Sequence, residues 1–168
     1  KIRNFWAKDP DSRLRPLLLA RLYPYIFKDD RLNQTLISFF KSGIENPDDP
    51  FFSHNIRWKN TAKIKNFFSD HVKDSIRNYD SYSELMKLLP ANYFDWDIVT
   101  KAQFLESMIF LSNYLLSSQG DRVAMAHSLE LRVPYLDHRV IEIMGKVNSE
   151  TKINGLNEKH ILKKVFKD

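Results

Sequence analysis

From Lys101 to Leu116, apolar side chains occupy most of the circumference of a helix: Phe104, Leu105, Met108, Ile109, Leu111, Tyr114 and Leu115. A helix that is apolar nearly all round belongs at the centre of a core, so the remaining segments have to pack around this one. Helical apolar spacing recurs through almost the whole chain, and no segment reads as a strand. The expected fold is therefore mainly α, in a single domain or sub-domain over residues 1–168. At 168 residues the chain is long enough to bury a sizeable interior.

Local signals set the expected boundaries. A helix over Arg13 to Tyr23 carries Leu14, Leu17, Leu18 and Tyr23, with Pro16 in its first turn, where a missing N–H is harmless. A second, over Arg31 to Ser42, places Leu32, Leu36, Phe39 and Phe40 on one face and stops at Gly43, a natural C-terminal cap. Glu45 to Ser53 contains Asn-Pro-Asp-Asp-Pro, which is turn chemistry, and the nearby aromatics Phe51, Phe52 and Trp58 predict a loop that packs.

Asn60 is the expected cap of a helix over Thr61 to Ile76, with Ile64, Phe67, Phe68, His71 and Val72 inward. Ser81 with Glu84 and Thr100 with Gln103 read as capping boxes, and Val99 with Phe104 as a hydrophobic staple. The Ser81 helix is expected to end at Leu89-Pro90. Asp137 caps a helix over His138 to Lys146, and Asn157 caps a last one from Glu158 onward.

Composition excludes several kinds of function. Without cysteine there is no disulfide, thiolate metal site or cysteine nucleophile in the chain. The net charge of +5 arises from Lys and Arg interleaved with Asp and Glu. Apart from Lys159 to Lys167 there is no basic stripe of the kind nucleic acids require, so no nucleic-acid partner is expected. No apolar run approaches the roughly 20 residues of a membrane span, so no membrane partner is expected either. A first residue that is Lys, and a final turn that stops mid-pattern at Asp168, suggest a piece of something longer.

The usual catalytic motifs give no help. There is no Gly-rich phosphate loop and no His-Glu-x-x-His, and with only four glycines close backbone approach to a phosphate is unsupported. His127 and His138 are too isolated to read as ligands; a hydrogen-bonded or helix-surface ring is the simpler role for each. His54, His71 and His160 give still less reason to think of a site.

Asp121 to Asp137 is different, because it packs charged residues among Val123, Met125, Ala126, Leu129, Leu131 and Val133. Such charges lie either on a solvated face or in buried pairs, since an unpaired buried charge costs several kcal/mol. The run Asp121-Arg122, Met125-Ala126, Ser128-Leu129-Glu130, Arg132, Pro134 and Leu136-Asp137 is followed by Lys159-His-Ile-Leu162-Lys163, just after the Asn154-Gly155 turn. In this order and spacing the two segments resemble the signature of glutamine-dependent asparagine synthetases and their amidotransferase relatives. Asp9-Pro-Asp-Ser-Arg-Leu-Arg-Pro also resembles one bacterial branch of paralogues.

What the resemblance implies is a helical C-terminal portion of an α/β synthetase domain of the adenine-nucleotide α-hydrolase-like, PP-loop ATPase type, with the sheet-bearing part absent from this chain. It further implies a cytoplasmic ligase in which a cysteine-led glutaminase domain releases ammonia. Mg-ATP activates a carboxylate, aspartate first among candidates, as an acyl-adenylate that ammonia then opens. Expected partners are the rest of the nucleotide-binding domain, the N-terminal glutaminase domain and, for an uncovered face, a second copy. ATP and Mg are the parent's cofactors, and none is expected to bind tightly to this chain, which should be inactive alone. It lacks the family's Ser-Gly-Gly-x-Asp-Ser and Gly-Glu-Gly-x-Asp-Glu loops, and the family's Arg-x-Lys motif would fall beyond Asp168. Leu116 and Gln119 stand where asparagine synthetases often show an acidic and a basic residue, which leaves the acceptor open.

The residues that the resemblance points toward a nucleotide or substrate site are Gln119, Asp121, Arg122, Glu130, Arg132 and Lys159. No catalytic residue and no metal ligand is assigned. Asp121 and Arg122 read equally as the mouth of a site, with the planar Arg fork suited to phosphate or carboxylate, and as a surface ion pair. For Glu130 and Arg132 a buried structural pair beside Pro134 is favoured over substrate contact. Lys159 reads as a solvated helix charge before it reads as a pyrophosphate ligand. The competing view of the whole chain is a helical interaction module that keeps the signature for packing alone.

Overall fold

The structure is a computed structural model that describes residues 1–22 and 30–167, with side chains at all of these except 19–21 and 30–33. The described residues are mostly helical, as the spacing requires, with loops between the helices and one short hairpin. The first helices are α1 (Ile2–Ala7), α2 (Arg15–Leu22) and α3 (Asp30–Lys41). Pro16 is the second residue of α2, and Gly43 follows α3 with φ +67°, the left-handed closure expected of it. Tyr23, the expected end of the α2 helix, lies outside the described residues, and Leu32 lies outside those with described side chains.

The loop before residue 55 joins two cores because successive residues point opposite ways. Phe52 packs with Ile2, Trp6 and Ile44, against Leu22, Ile37, Phe40, Ile98 and Leu156. Its neighbour Phe51 packs with Tyr93 and Leu105, against Trp58, Tyr82, Leu85, Trp96, Phe104 and Met108. Asp49 fixes the turn by accepting from the Phe51 N–H at 2.8 Å. The Tyr93 hydroxyl donates to the Pro50 carbonyl at 2.6 Å, and burial, with Asp49 adding its charge, pushes that phenol up to about 12.

Residues 55–86 depart most from expectation. In place of one helix capped by Asn60, the chain forms α4 (Asn55–Ala62), a 3-10 turn (Lys63–Phe67), an extended break at Phe68, and α5 (Asp70–Ser75). Ser69 caps α5 by accepting from Val72 N–H. The side chains expected inward point out: Ile64 is 60 % exposed, Phe67 89 % and Val72 37 %. Their helical spacing is real, but no other element covers them. The next helix, α6 (Ser81–Met86), is capped by Asp80 rather than Ser81, with the Tyr82 N–H donating to Asp80 at 3.0 Å.

A 3-10 turn at Tyr93–Asp95 leads to α7 (Ile98–Leu105), and here too an aspartate replaces the expected cap. Asp97 accepts from the N–H groups of Val99 and Thr100, so Val99 and Phe104 both lie inside the helix and form no staple. Thr100 instead donates its hydroxyl to Asp97 at 2.6 Å, and Ser149 does so at 2.9 Å. Burial opposes ionisation of Asp97, yet these hydroxyls and the two backbone donors hold its carboxyl below the usual range. Loss of such a cap costs about 1 kcal/mol.

The central apolar segment continues α7 as a π-helix over Glu106–Asp121. Ser112 and Asn113 both donate to the Met108 carbonyl, at 2.7 and 3.0 Å, and Ser117 donates to the Asn113 carbonyl at 2.5 Å. Side chains that compete for helix carbonyls in this way distort the α ladder. The near end is core, with Leu105 fully buried, whereas Tyr114 is 43 % exposed and Leu115 36 %. The segment therefore leaves the core half-way along. It runs into α8 (Arg122–Ala126).

Beyond a 3-10 turn at Pro134–Leu136 come α9 (His138–Lys146), α10 (Ser149–Lys152), strands β1 (Ile153–Asn154) and β2 (Asn157–Glu158), and α11 (His160–Val165). Asp137 caps α9 as expected, accepting from Arg139 N–H. The antiparallel hairpin pairs Ile153 with Glu158 and turns at Gly155, whose φ is +58°. No strand was expected there, because two-residue strands carry no readable alternation. The last helix accordingly starts later than the Asn157 cap predicts, after Lys159 in a left-handed conformation at φ 53°.

Candidate functional site

The signature segment forms one local unit. Helix α8 closes when the N–H groups of His127 and Leu129 donate to the Ala124 carbonyl, at 3.0 and 2.9 Å, with Ser128 in the left-handed region at φ 55°. The chain then runs extended to Pro134, where a residue before proline avoids helix. This return brings Leu131 alongside Gly120: a Cβ built on Gly120 would lie 3.9 Å from Leu131 Cδ1 and 3.0 Å from the Leu115 carbonyl oxygen. The room for a side chain at Gly120 is thus limited by the Leu115 carbonyl of its own helix, with the returning segment in ordinary contact through Leu131.

Gln119 and Asp121 flank Gly120, with Arg122 next in the chain, and Glu130 and Arg132 flank Leu131. Gln119 donates to the Tyr114 hydroxyl at 2.6 Å. Asp121 and Arg122 have no ion-pair partner among the described residues, so neither makes the surface pair that sequence left open. Arg132 Nη2 lies 2.8 Å from Glu130 Oε1, which confirms the pairing, but their side chains are 83 % and 71 % exposed. The expectation of a buried pair is thereby corrected: the turn is held by backbone closure and by Pro134, and the ion pair lies in solvent. Lys159 lies apart on the hairpin that Glu158 ties to Lys1 at 3.0 Å, and no bond joins it to the other candidates.

From this unit into α9 many apolar side chains are uncovered, including Met125 at 68 %, Leu129 at 61 %, Tyr135 at 74 % and Ile143 at 65 % exposure. Guanidinium groups and carboxylates alternate along it. Such a ribbon can take phosphate or carboxylate groups in bidentate fashion. Among the described residues no group of three or more His, Cys, Asp or Glu side chains could hold a metal ion.

Sequence reasoning missed a second polar centre, next to a cleft of about 740 Å3 lined by Arg3, Phe52, Arg57, Gln103 and Glu106. Arg3 is buried and donates to the carbonyls of Ser42 at 2.9 Å, Gly43 at 3.0 Å and Phe52. Its guanidinium stacks 4.2 Å above the Phe52 ring. Nearby, Glu106 pairs with Arg57 and approaches Nε2 of the buried His54 to 3.3 Å. Burial lowers the His54 pKa; Glu106 offsets part of that, and Arg57 adds to it. Arg3 and Phe52 stand 49 positions apart, so no local spacing signals the contact.

Comparison with known proteins gives a family. The asparagine synthase family profile matches residues 15–168. An asparagine synthetase (glutamine-hydrolysing) of Bacillus subtilis is 30 % identical over 112 residues, covering 64 % of this chain and 17 % of that protein. The human asparagine synthetase is 46 % identical over 52 residues, 30 % of this chain and 9 % of its own length. An amidase of Gibberella zeae is 32 % identical over 78 residues, 43 % of this chain and 12 % of the amidase. The chain spans less than a fifth of the length of these relatives. No solved structure matches.

Proposed function

Because the chain belongs to the asparagine synthase family, we propose that it forms the helical part of the synthetase domain of an ATP-dependent, glutamine-hydrolysing amidotransferase. The observation that carries the reading is the ordered signature from Asp121 to Asp137, presented to solvent instead of being spent on a core. In this reading Mg-ATP supplies the activation of a carboxylate as its acyl-adenylate. The phosphate cradle and metal ligands belong to the nucleotide-binding part of the protein, and ammonia comes from a glutaminase domain. The cytoplasm is the expected compartment.

This chain's own share is electrostatic and positional. Arg122 and Arg132 supply planar donors to anionic groups, and Glu130 holds the Arg132 fork in one orientation. Asp121 and Gln119 line the same mouth, while Lys159 remains a candidate from a separate element. Neutralising developing phosphate charge with preorganised donors is the main means of accelerating such chemistry. Aspartate is the first acceptor to test; Leu116 and Gln119, and the amidase among the relatives, make a different carboxylate the second.

The test is glutamine- or ammonia-dependent cleavage of ATP to AMP and pyrophosphate by the full-length protein, with and without aspartate. Aspartate-dependent release is expected. Release that requires another carboxylate would reassign the acceptor, and no release with any would favour a helical interaction module, a reading that the uncovered apolar ribbon also suits. The isolated chain is expected neither to make asparagine nor to bind ATP tightly, and micromolar affinity by calorimetry would overturn that.

A further inference from the structure

Between Asp49 and Asp70 the sequence contains no carboxylate, but it carries Arg57, Lys59, Lys63 and Lys65. The structure turns this stretch into an arm. Its base is fixed by Asn55, buried at the start of α4, and by Trp58, packed against Phe51 and Tyr82 with ring centroids 5.6 and 5.9 Å away. Beyond Trp58 every residue through Phe67 is exposed. At the tip the 3-10 turn brings i and i+3 side chains into register, so Ile64 and Phe67 share one side. Phe67, at 89 %, is the most exposed large apolar residue among those described.

The charges at the tip are unspent. Arg57 is occupied by Glu106, whereas Lys59, Lys63 and Lys65 have no carboxylate within ion-pair distance among the described residues. Lys65 helps to hold the Asp80 carboxyl low, after the hydrogen bonds from Ser83 and Tyr82. The next acids along the chain, Asp70 and Asp74, are paired with Lys73 at 3.8 Å and Arg77 at 3.2 Å.

We propose that this arm docks on a membrane surface carrying anionic phospholipids, with Ile64 and Phe67 entering the headgroup boundary and Lys59, Lys63 and Lys65 seated among the headgroups. An exposed tip carrying two apolar side chains with lysines beside them in the chain fits that occupant better than the alternatives. A protein partner of ordinary affinity needs roughly 800 Å2 from each side, which a tip this narrow does not offer. A single-stranded nucleic acid calls for aromatic platforms, and Ile64 beside Phe67 is not one. Each lysine near an anionic leaflet contributes about 1 kcal/mol, and lone apolar anchors are marginal without such a patch. No described helix is long and apolar enough to cross a membrane, and surface docking requires none. The expectation of no membrane partner rested on that absence alone.

The test is co-sedimentation of the full chain with vesicles of phosphatidylcholine alone and of phosphatidylcholine mixed with phosphatidylserine. Binding is expected only to the mixed vesicles and should weaken with added salt. Phe67→Ser should weaken it about tenfold, and the triple change of Lys59, Lys63 and Lys65 to Gln about a hundredfold. The substituted side chains are exposed, so folding should survive, and circular dichroism would verify this. Phe166→Ser is a stringent control, because Phe166 is 77 % exposed and also lies among lysines; it should leave binding intact. Equal binding to neutral vesicles, no binding to acidic ones, or loss with Phe166→Ser but not with Phe67→Ser would each overturn the proposal.

Discussion

The body around Leu105 and the ribbon from Asp121 to Ile143 are both rich in apolar residues, but they use them in opposite ways. In the body, Leu105 and Tyr93 are fully enclosed and Trp6, Phe51 and Phe52 nearly so. In the ribbon, Leu129, Met125, Tyr135 and Ile143 are each more than half exposed, although this is the segment that identifies the family. Its apolar residues are therefore surplus to the core of this chain.

The largest expected effect separates the two regions by stability alone. Leu105→Ala should cost about 2–5 kcal/mol, the range for a buried leucine that leaves a cavity, whereas Leu129→Ala should stay within about 0.5 kcal/mol, as for exposed positions. Chemical denaturation of both variants checks this, and similar losses would erase the distinction between body and ribbon. Next, Arg3→Met should cost about 2–3 kcal/mol, because it leaves the carbonyls of Ser42, Gly43 and Phe52 without their buried donor; a neutral result would mean that water replaces the guanidinium.

The comparison sharpens with pH. The ordinary His value is 6.5, and burial lowers it for His54, so in the window just below 6.5 the unfolded chain binds a proton that the folded chain resists. Stability should then fall as pH drops from 7 toward 5, and His54→Gln should flatten that slope in a thermal melt series. An unchanged slope would remove His54 as its source. The smallest effects belong to the ribbon. Glu130→Ala and Lys159→Ala should each change stability by less than about 1 kcal/mol, as for solvent-exposed charges, and a large loss for Glu130→Ala alone would restore a buried pair. The isolated chain should also self-associate through the ribbon as its concentration rises, since uncovered apolar patches of this kind mark interfaces. Sedimentation velocity showing a compact monomer at high concentration would count against that.

Helix content, the Gly43 closure and the Asp137 cap were legible in the sequence, since each depends on neighbours within a few residues; the aromatics Phe51 and Phe52 marked a loop that packs but not the distant residues they pack against. Caps were misplaced where an aspartate stands just before the expected residue. Asp80 outcompeted Ser81, and Asp97 outcompeted Thr100, because a carboxylate offers two acceptor oxygens and Thr100 serves better as a donor to one of them. Ile64 and Phe67 were misread for a different reason: periodicity reports that a face is apolar, not that anything covers it. The π-helix was hidden because Ser112, Asn113 and Ser117 act on carbonyls only once a helix exists. Among the candidate residues, the Glu130–Arg132 pairing was legible from their spacing, but not its exposure. The Arg3 and His54 centres depend on contacts across about fifty positions and left no local trace.

The most direct test pairs two readouts on one variant: pyrophosphate release and melting temperature of the full-length protein carrying Arg132→Ala. If the ribbon is a working surface and not part of the core, release should fall by at least about tenfold, the cost of one charge-assisted contact, while the melting temperature stays within about 2 °C of the parent. Undiminished release, or a loss matched by a collapse in melting temperature, would contradict the account.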